Sequence, residues 1–259
     1  MVRKEIRELC SEELLLLRRL QEYGKTHSIV HNERVEGISL LLLFRIYSNL
    51  ISAYNLSILA IKNEKFTVFL FPIGIILRCA FTDCLFALYL LSVKKERAYE
   101  ELDLRAKEYG DSLLERKEVY RDMVKSTDLV ESDEFIDYMW ELQMEDSFLH
   151  LLTLHASSKG PEVARKSKEQ LSKEGFIQLH SISTKDIYNF LIQQEGLNET
   201  ATLLYHYYKY FSQYEHFSEN GQGDILAMAK ENGHGNVHLP SAIRALSVGV
   251  KEVIQRRAL

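Results

Sequence analysis

Residues 66–92 read FTVFLFPIGIILRCAFTDCLFALYLLS, an almost wholly apolar run that still carries Arg78 and Asp83 near its middle. A run of this length is a helix apolar on every side, and such a helix lies either at the centre of a bundle or across a membrane. Pro72 suits the first turn of a helix, where its missing N–H is harmless, so the helix is expected over 72–94. The two charges decide how the rest of the chain is read.

The preceding run, residues 38–61, reads ISLLLLFRIYSNLISAYNLSILAI and contains a single charge, Arg45. A short polar break at 62–65 separates it from the central stretch. Both runs are long enough to span a bilayer. Against a membrane hairpin, the first contains Ser48, Asn49, Ser52, Asn55 and Ser57. In the second, each charge near the centre costs roughly 2.5–3.5 kcal/mol even on the lenient insertion scale. Two central apolar helices in a soluble bundle are therefore expected, with a membrane hairpin over 38–92 as the alternative.

Composition agrees with a soluble protein. The chain has 259 residues, 46% hydrophobic and 27% charged, which is ordinary for a globular protein with a substantial core. Only three prolines and twelve glycines interrupt it, so long helices are expected. A net charge of −5 excludes a uniformly basic protein that coats nucleic acid, but not a local basic site. Cys10, Cys79 and Cys84 suit the reduced, buried thiols of a cytosolic protein rather than a disulfide framework. The opening MVRKEIRELCSEE has no apolar signal core, so a cytoplasmic location is expected.

Outward from the central pair, residues 3–23 alternate charge with leucine, an amphipathic helix ending near Gly24. Residues 94–125 are crowded with charge, yet Ala98, Leu102, Ala106, Tyr109, Leu113, Tyr120 and Val124 form one helical stripe. This reads as a solvated surface helix whose exposed face includes the Glu101–Arg105 pair. An acidic, aromatic segment at 132–155, with Tyr138, Trp140 and Phe148, reads as another helix. Residues 156–182 read as an exposed loop, broken at Gly160-Pro161 and locally basic at Arg165, Lys166, Lys168 and Lys173.

Ser183 or Thr184 then reads as an N-cap, with Gly196 as the stop. Helices over 198–217 and about 222–232 follow, and Pro240 opens the last, which runs through Ala258. No repeat and no strand is convincing. The expectation is an all-α chain, a single helical bundle of roughly eight helices over residues 1–259.

The second chemically suggestive stretch is residues 205–220, YHYYKYFSQYEHFSEN. Tyr208, Ser212 and His216 are spaced i, i+4, i+8 and line one helical face. Such a stripe is poor core material, because each polar group needs a partner when buried. Tyr207, Phe211, Tyr214 and the flanking Leu203 are expected to supply packing. The polar stripe is expected to face the polar middle of the central helix, around Arg78, Thr82 and Asp83. Arg78 and Thr82 share a face at i,i+4, whereas Asp83 is turned roughly 140° from Arg78 at 100° per residue and is expected to partner a different helix.

A histidine exchanges protons near neutral pH, and an arginine grips phosphate through paired hydrogen bonds. Metal-free RNA cleavage needs little more: a base for the ribose 2′-hydroxyl, a cation for the phosphorane, and an acid for the leaving oxygen. His216 is the candidate acid or base, Arg78 the phosphate ligand, and Ser212 and Tyr208 the positioning groups. Other clusters carry less. His150 and His155 diverge on a helix, and His234, His238 and Asp224 do not complete a metal set, so neither metal nor cofactor is expected. Gly221-x-Gly223 and Gly233-x-Gly235 lack the strand–helix setting of a nucleotide fingerprint.

The spacing Ser212-x-x-x-His216 on a late helix of an all-helical chain resembles the HEPN superfamily of helical nucleases and nucleotide-binding proteins. Their signature is commonly Arg-Asn-x-x-x-His. Ser212 stands in place of the Asn, His216 matches the His, and Phe211 occupies the Arg position. Lys209 is the nearest upstream cation, and Arg78 would have to be supplied from another helix. The resemblance covers two short segments. It implies a dimer, RNA or nucleotide binding, RNA cleavage, and a role in bacterial defence or toxin–antitoxin biology. Two other readings stand beside it: a non-catalytic interaction protein in which Arg78, Asp83 and His216 form a structural network, and a membrane-associated effector.

Overall fold

The computed structural model describes residues 2–27, 34–63, 66–126, 133–137, 170, 173, 180–215 and 239–258. Among them the chain is all-α, without a strand. Helices are α1 (Val2–Thr26), α2 (Arg34–Asn63), α3 (Phe66–Ser92), α4 (Lys95–Ser126), α5 (Thr184–Leu191), α6 (Asn198–Glu215) and α7 (Leu239–Arg257). They belong to two compact units. The first comprises Met1–His31, Ser39–Ser92 and Ser183–Leu259, and the second Asn32–Ile38 and Val93–Ile182. Of the segment read as a helix over 132–155, residues 133–137 are helical and the others lie outside the described residues, as do the segment read as a helix over 222–232 and nearly all of the stretch read as a loop over 156–182.

In the first unit α3 is the hub, packed on by α5, α6 and α7. Leu77, Ala80, Phe81, Cys84, Leu85, Ala87 and Leu88 point in every direction around it and are all fully buried. A helix sheathed in this way has no use for an amphipathic pattern, which explains its unbroken hydrophobicity. By length and composition Val35–Ala60 and Pro72–Ser92 each qualify to cross a membrane, and 72% of the latter is buried by protein.

Helix α3 begins at Phe66, not at Pro72 as the sequence suggests, so the proline lies inside it. The apolar residues before Pro72 extend the helix, and one backbone hydrogen bond is forgone.

Helix α7 approaches α3 and α6 closely at Gly249. A Cβ added there would meet the Cys84 Sγ at 2.7 Å and the Leu204 methyls at 2.8 and 2.9 Å. Helix α5 opens as expected: the Ser183 hydroxyl accepts the Asp186 N–H at 3.2 Å. It closes at Leu191, earlier than Gly196 suggested. That glycine, at φ 75, turns the chain into α6. On α6 the packing residue is Leu204, fully buried, rather than the 39% exposed Leu203. The reason is angular: seven residues make almost two whole turns, so Leu204 lies under Phe211, whereas Leu203, eight residues away, has rotated off that line.

In the second unit, α4 is more buried than a solvated surface helix. Ala98, Leu102 and Val124 are buried as the stripe requires, and so are Glu101 and Lys107. Glu101 takes the Arg105 Nε–H at 2.8 Å and the Ile182 N–H at 3.0 Å. Glu108 accepts from both the N–H and the hydroxyl of Ser181, at 2.7 and 2.5 Å. Residues 181 and 182 are thereby tied along α4 by its own carboxylates.

Candidate functional site

The site is assembled in the first unit from α3, α5 and α6. Arg78 and Ser212 are the centre. The Arg78 Nε–H donates to the Ser212 hydroxyl at 3.2 Å, and that hydroxyl donates in turn to the Tyr208 carbonyl at 2.7 Å. Because Ser212 bonds back to the preceding turn of its own helix, its oxygen is fixed in direction. The guanidinium lies over the Tyr208 ring, 5.6 Å from the centroid, within cation–π range. Arg78, Tyr208 and Ser212 are all half-buried, accessible to a ligand yet anchored.

Tyr208 also reaches Thr184 in the first turn of α5. Burial pushes its phenol up, but hydrogen bonds with Thr184, Arg78 and Ser212 and the Arg78 charge outweigh this and hold it below the ordinary tyrosine value. Tyr205, on the same side of α6, moves the opposite way. Its phenol is raised by burial and by its neighbours Tyr208, Tyr188 and Asp186.

Of the other residues singled out from the sequence, Thr82 donates to the carbonyl of Arg78 at 3.0 Å, a bond within its own helix. Asp83 is buried and turned away. It pairs with Arg45 of α2 at 3.3 Å, the different partner that its 140° offset demands. Lys209 is exposed beside Tyr208. His216 lies outside the described residues, as do His150, His155, Asp224, His234 and His238. Among the described residues no group of three or more His, Cys, Asp or Glu is placed to hold a metal ion.

Two contributors escaped the sequence reading: Thr184, noted only as a cap candidate, and the tyrosine pair Tyr188 and Tyr205. Their rings stack at 4.3 Å and 8° between planes. The density of tyrosines in YHYYKY was a visible signal, but no periodicity places Tyr188 of α5 against it. No family model, curated protein or solved structure matches the chain.

Proposed function

We propose that the protein binds the phosphate of RNA or a nucleotide at Arg78, and that it is a metal-independent ribonuclease of HEPN-like type. The observation that supports this reading is the Arg78–Ser212–Tyr208 cluster, which brings an arginine from α3 onto the polar stripe of α6. The cation missing from the family signature on α6 is thus offered from α3. Arg78 holds the phosphate and offsets the charge that builds up as the phosphorane forms. Ser212 aims the guanidinium. His216, four residues beyond Ser212 in sequence, takes the proton of the attacking ribose hydroxyl or delivers one to the leaving oxygen. Tyr208, with its lowered phenol, lies at the same phosphate and is suited to the complementary proton transfer.

The test compares wild type with Arg78→Ala and His216→Ala on total RNA in the presence of EDTA, with thermal melting of each. Cleavage by wild type that both substitutions abolish while melting temperature is kept supports the assignment. Absence of cleavage by wild type removes it.

A second reading is favoured by Asp83. Its ion pair with Arg45 joins two apolar helices and leaves it no role at the phosphate site, which is how a polar core fixes the register of helices. If the whole network is of this kind, the protein is a non-catalytic interaction module. In that case Arg78→Ala and His216→Ala lower the melting temperature without touching any activity.

A further inference from the structure

Arg78 ends a longer stack. Beyond its guanidinium come the rings of Tyr208, Tyr205 and Tyr188 in succession. The Tyr208 and Tyr205 centroids are 5.7 Å apart at 29°, and those of Tyr205 and Tyr188 are 4.3 Å apart at 8°. All three tyrosines are half-exposed. They do not serve the core, because α6 packs through its other side. There Tyr207 and Phe211 are buried against Phe81, with centroids 5.7 and 6.0 Å from it. The helix therefore has two aromatic faces, one sealed and one open to solvent.

At its far end, the ring contact of Tyr188 among the described residues is with Tyr205 alone. Exposed lysines flank the stack on the same helical faces, Lys185 three residues before Tyr188 and Lys209 four residues after Tyr205. A row of stacked aromatic rings with cations alongside is the chemistry that holds single-stranded nucleic acid, since every base has a π-face to continue the stack.

We infer that Tyr188, Tyr205 and Tyr208 form a base-stacking platform for single-stranded RNA, extending from the phosphate bound at Arg78 to a base stacked on the outer face of Tyr188. This rests on the phosphate-binding reading above and specifies its ligand as an oligonucleotide rather than a mononucleotide. Three stacking steps separate Arg78 from Tyr188, so a base on Tyr188 belongs to a nucleotide further along the strand than the one at Arg78.

The experiment measures affinity for two probes: a labelled hexanucleotide whose ribose 2′-hydroxyls are methylated so that it is not cut, and a nucleoside monophosphate. Wild type, Arg78→Ala, Tyr188→Ala and Tyr188→Leu are compared, the leucine keeping apolar packing without a π-face. Both Tyr188 variants are expected to weaken hexanucleotide binding about tenfold and to leave the monophosphate unchanged. Arg78→Ala should weaken both. Unchanged hexanucleotide affinity in the Tyr188 variants, or equal weakening of both probes, overturns the platform while the phosphate site stands. Failure of wild type to bind either probe removes the phosphate site and the platform with it.

Discussion

Glu13 in the first unit and Glu101 in the second are removed from solvent to the same degree, both fully buried, yet one is satisfied and the other is not. Glu101 has the Arg105 guanidinium and the Ile182 N–H. Burial still raises its pKa, with Arg105 and the backbone bond pulling back. Among the described residues Glu13 has only a long contact from the Ser57 hydroxyl at 3.4 Å, and its Oε2 has no partner. Burial pushes it up to about 8, against a slight opposing pull from Ser57. A buried carboxyl with a cation and an amide remains a structural tie, whereas one without them keeps its proton. The same residue type thus fixes a connection in one unit and is a pH liability in the other.

The largest consequence is a pH slope. In the unfolded chain Glu13 ionises near the ordinary glutamate value of 4.5, whereas in the folded protein it holds its proton to about 8. Between those values the folded state binds more protons than the unfolded state. Stability from this group is therefore full below about pH 4.5, falls as pH rises, and levels off above about 8. The whole window corresponds to roughly 4–5 kcal/mol, at 1.36 kcal/mol per pH unit. Glu101 is raised too and adds a slope of the same sign, so wild type must be compared with Glu13→Gln. Urea unfolding across pH 5 to 8 should give a shallower slope for the variant. Parallel curves would show that Glu13 is hydrated and ionised in the folded protein.

Next in size is the loss of the tie. Glu101→Ala removes the acceptor of the Ile182 N–H and the carboxylate that takes the Arg105 Nε–H, and is expected to cost about 3 kcal/mol. Glu101→Gln retains a carbonyl for the amide and should cost visibly less. Hydrogen exchange at the Ile182 amide reports the effect directly, with protection lost in the alanine variant and largely kept in the glutamine one. Unchanged protection in Glu101→Ala would put the anchoring of that connection elsewhere, in the bonds from Ser181 to Glu108.

How much of this was written in the sequence differs from residue to residue. The all-α class followed from long apolar and amphipathic periods with few breakers. The meeting of Arg78 with Ser212 followed from two independent hints, a charge in an apolar helix and a polar stripe in a late one. Glu13 was legible in principle, since it falls on the line of Leu9, Leu16, Leu17 and Leu20, all buried. Its acidity hid it among the charges of α1, where most are solvated. Glu101 reads in the sequence as part of an exposed face, because an i,i+4 ion pair looks the same whether or not another segment covers it. Arg45 stood out as the lone charge of its run, but periodicity within a helix gives no register between helices, so its pairing with Asp83 needed the structure. Tyr188 failed for the same reason.

The smallest effect sharpens the contrast from Glu13's side. Ser57 already donates to the Ala53 carbonyl at 3.0 Å, so its hydroxyl is shared, and the 3.4 Å contact with Glu13 is weak. Ser57→Ala should therefore change stability by less than about 1 kcal/mol at pH 5, where Glu13 is protonated in the folded protein whether or not Ser57 is present. The hydroxyl favours the ionised carboxylate, so its removal raises the Glu13 pKa further and carries the upper end of the sloping window above about 8. Unfolding of wild type and Ser57→Ala at pH 5 and pH 9 separates the two effects, with the variant losing more at pH 9. A large loss already at pH 5 would mean that Ser57 supports the protonated carboxyl strongly, and Glu13 would then be a partnered group like Glu101 rather than its opposite.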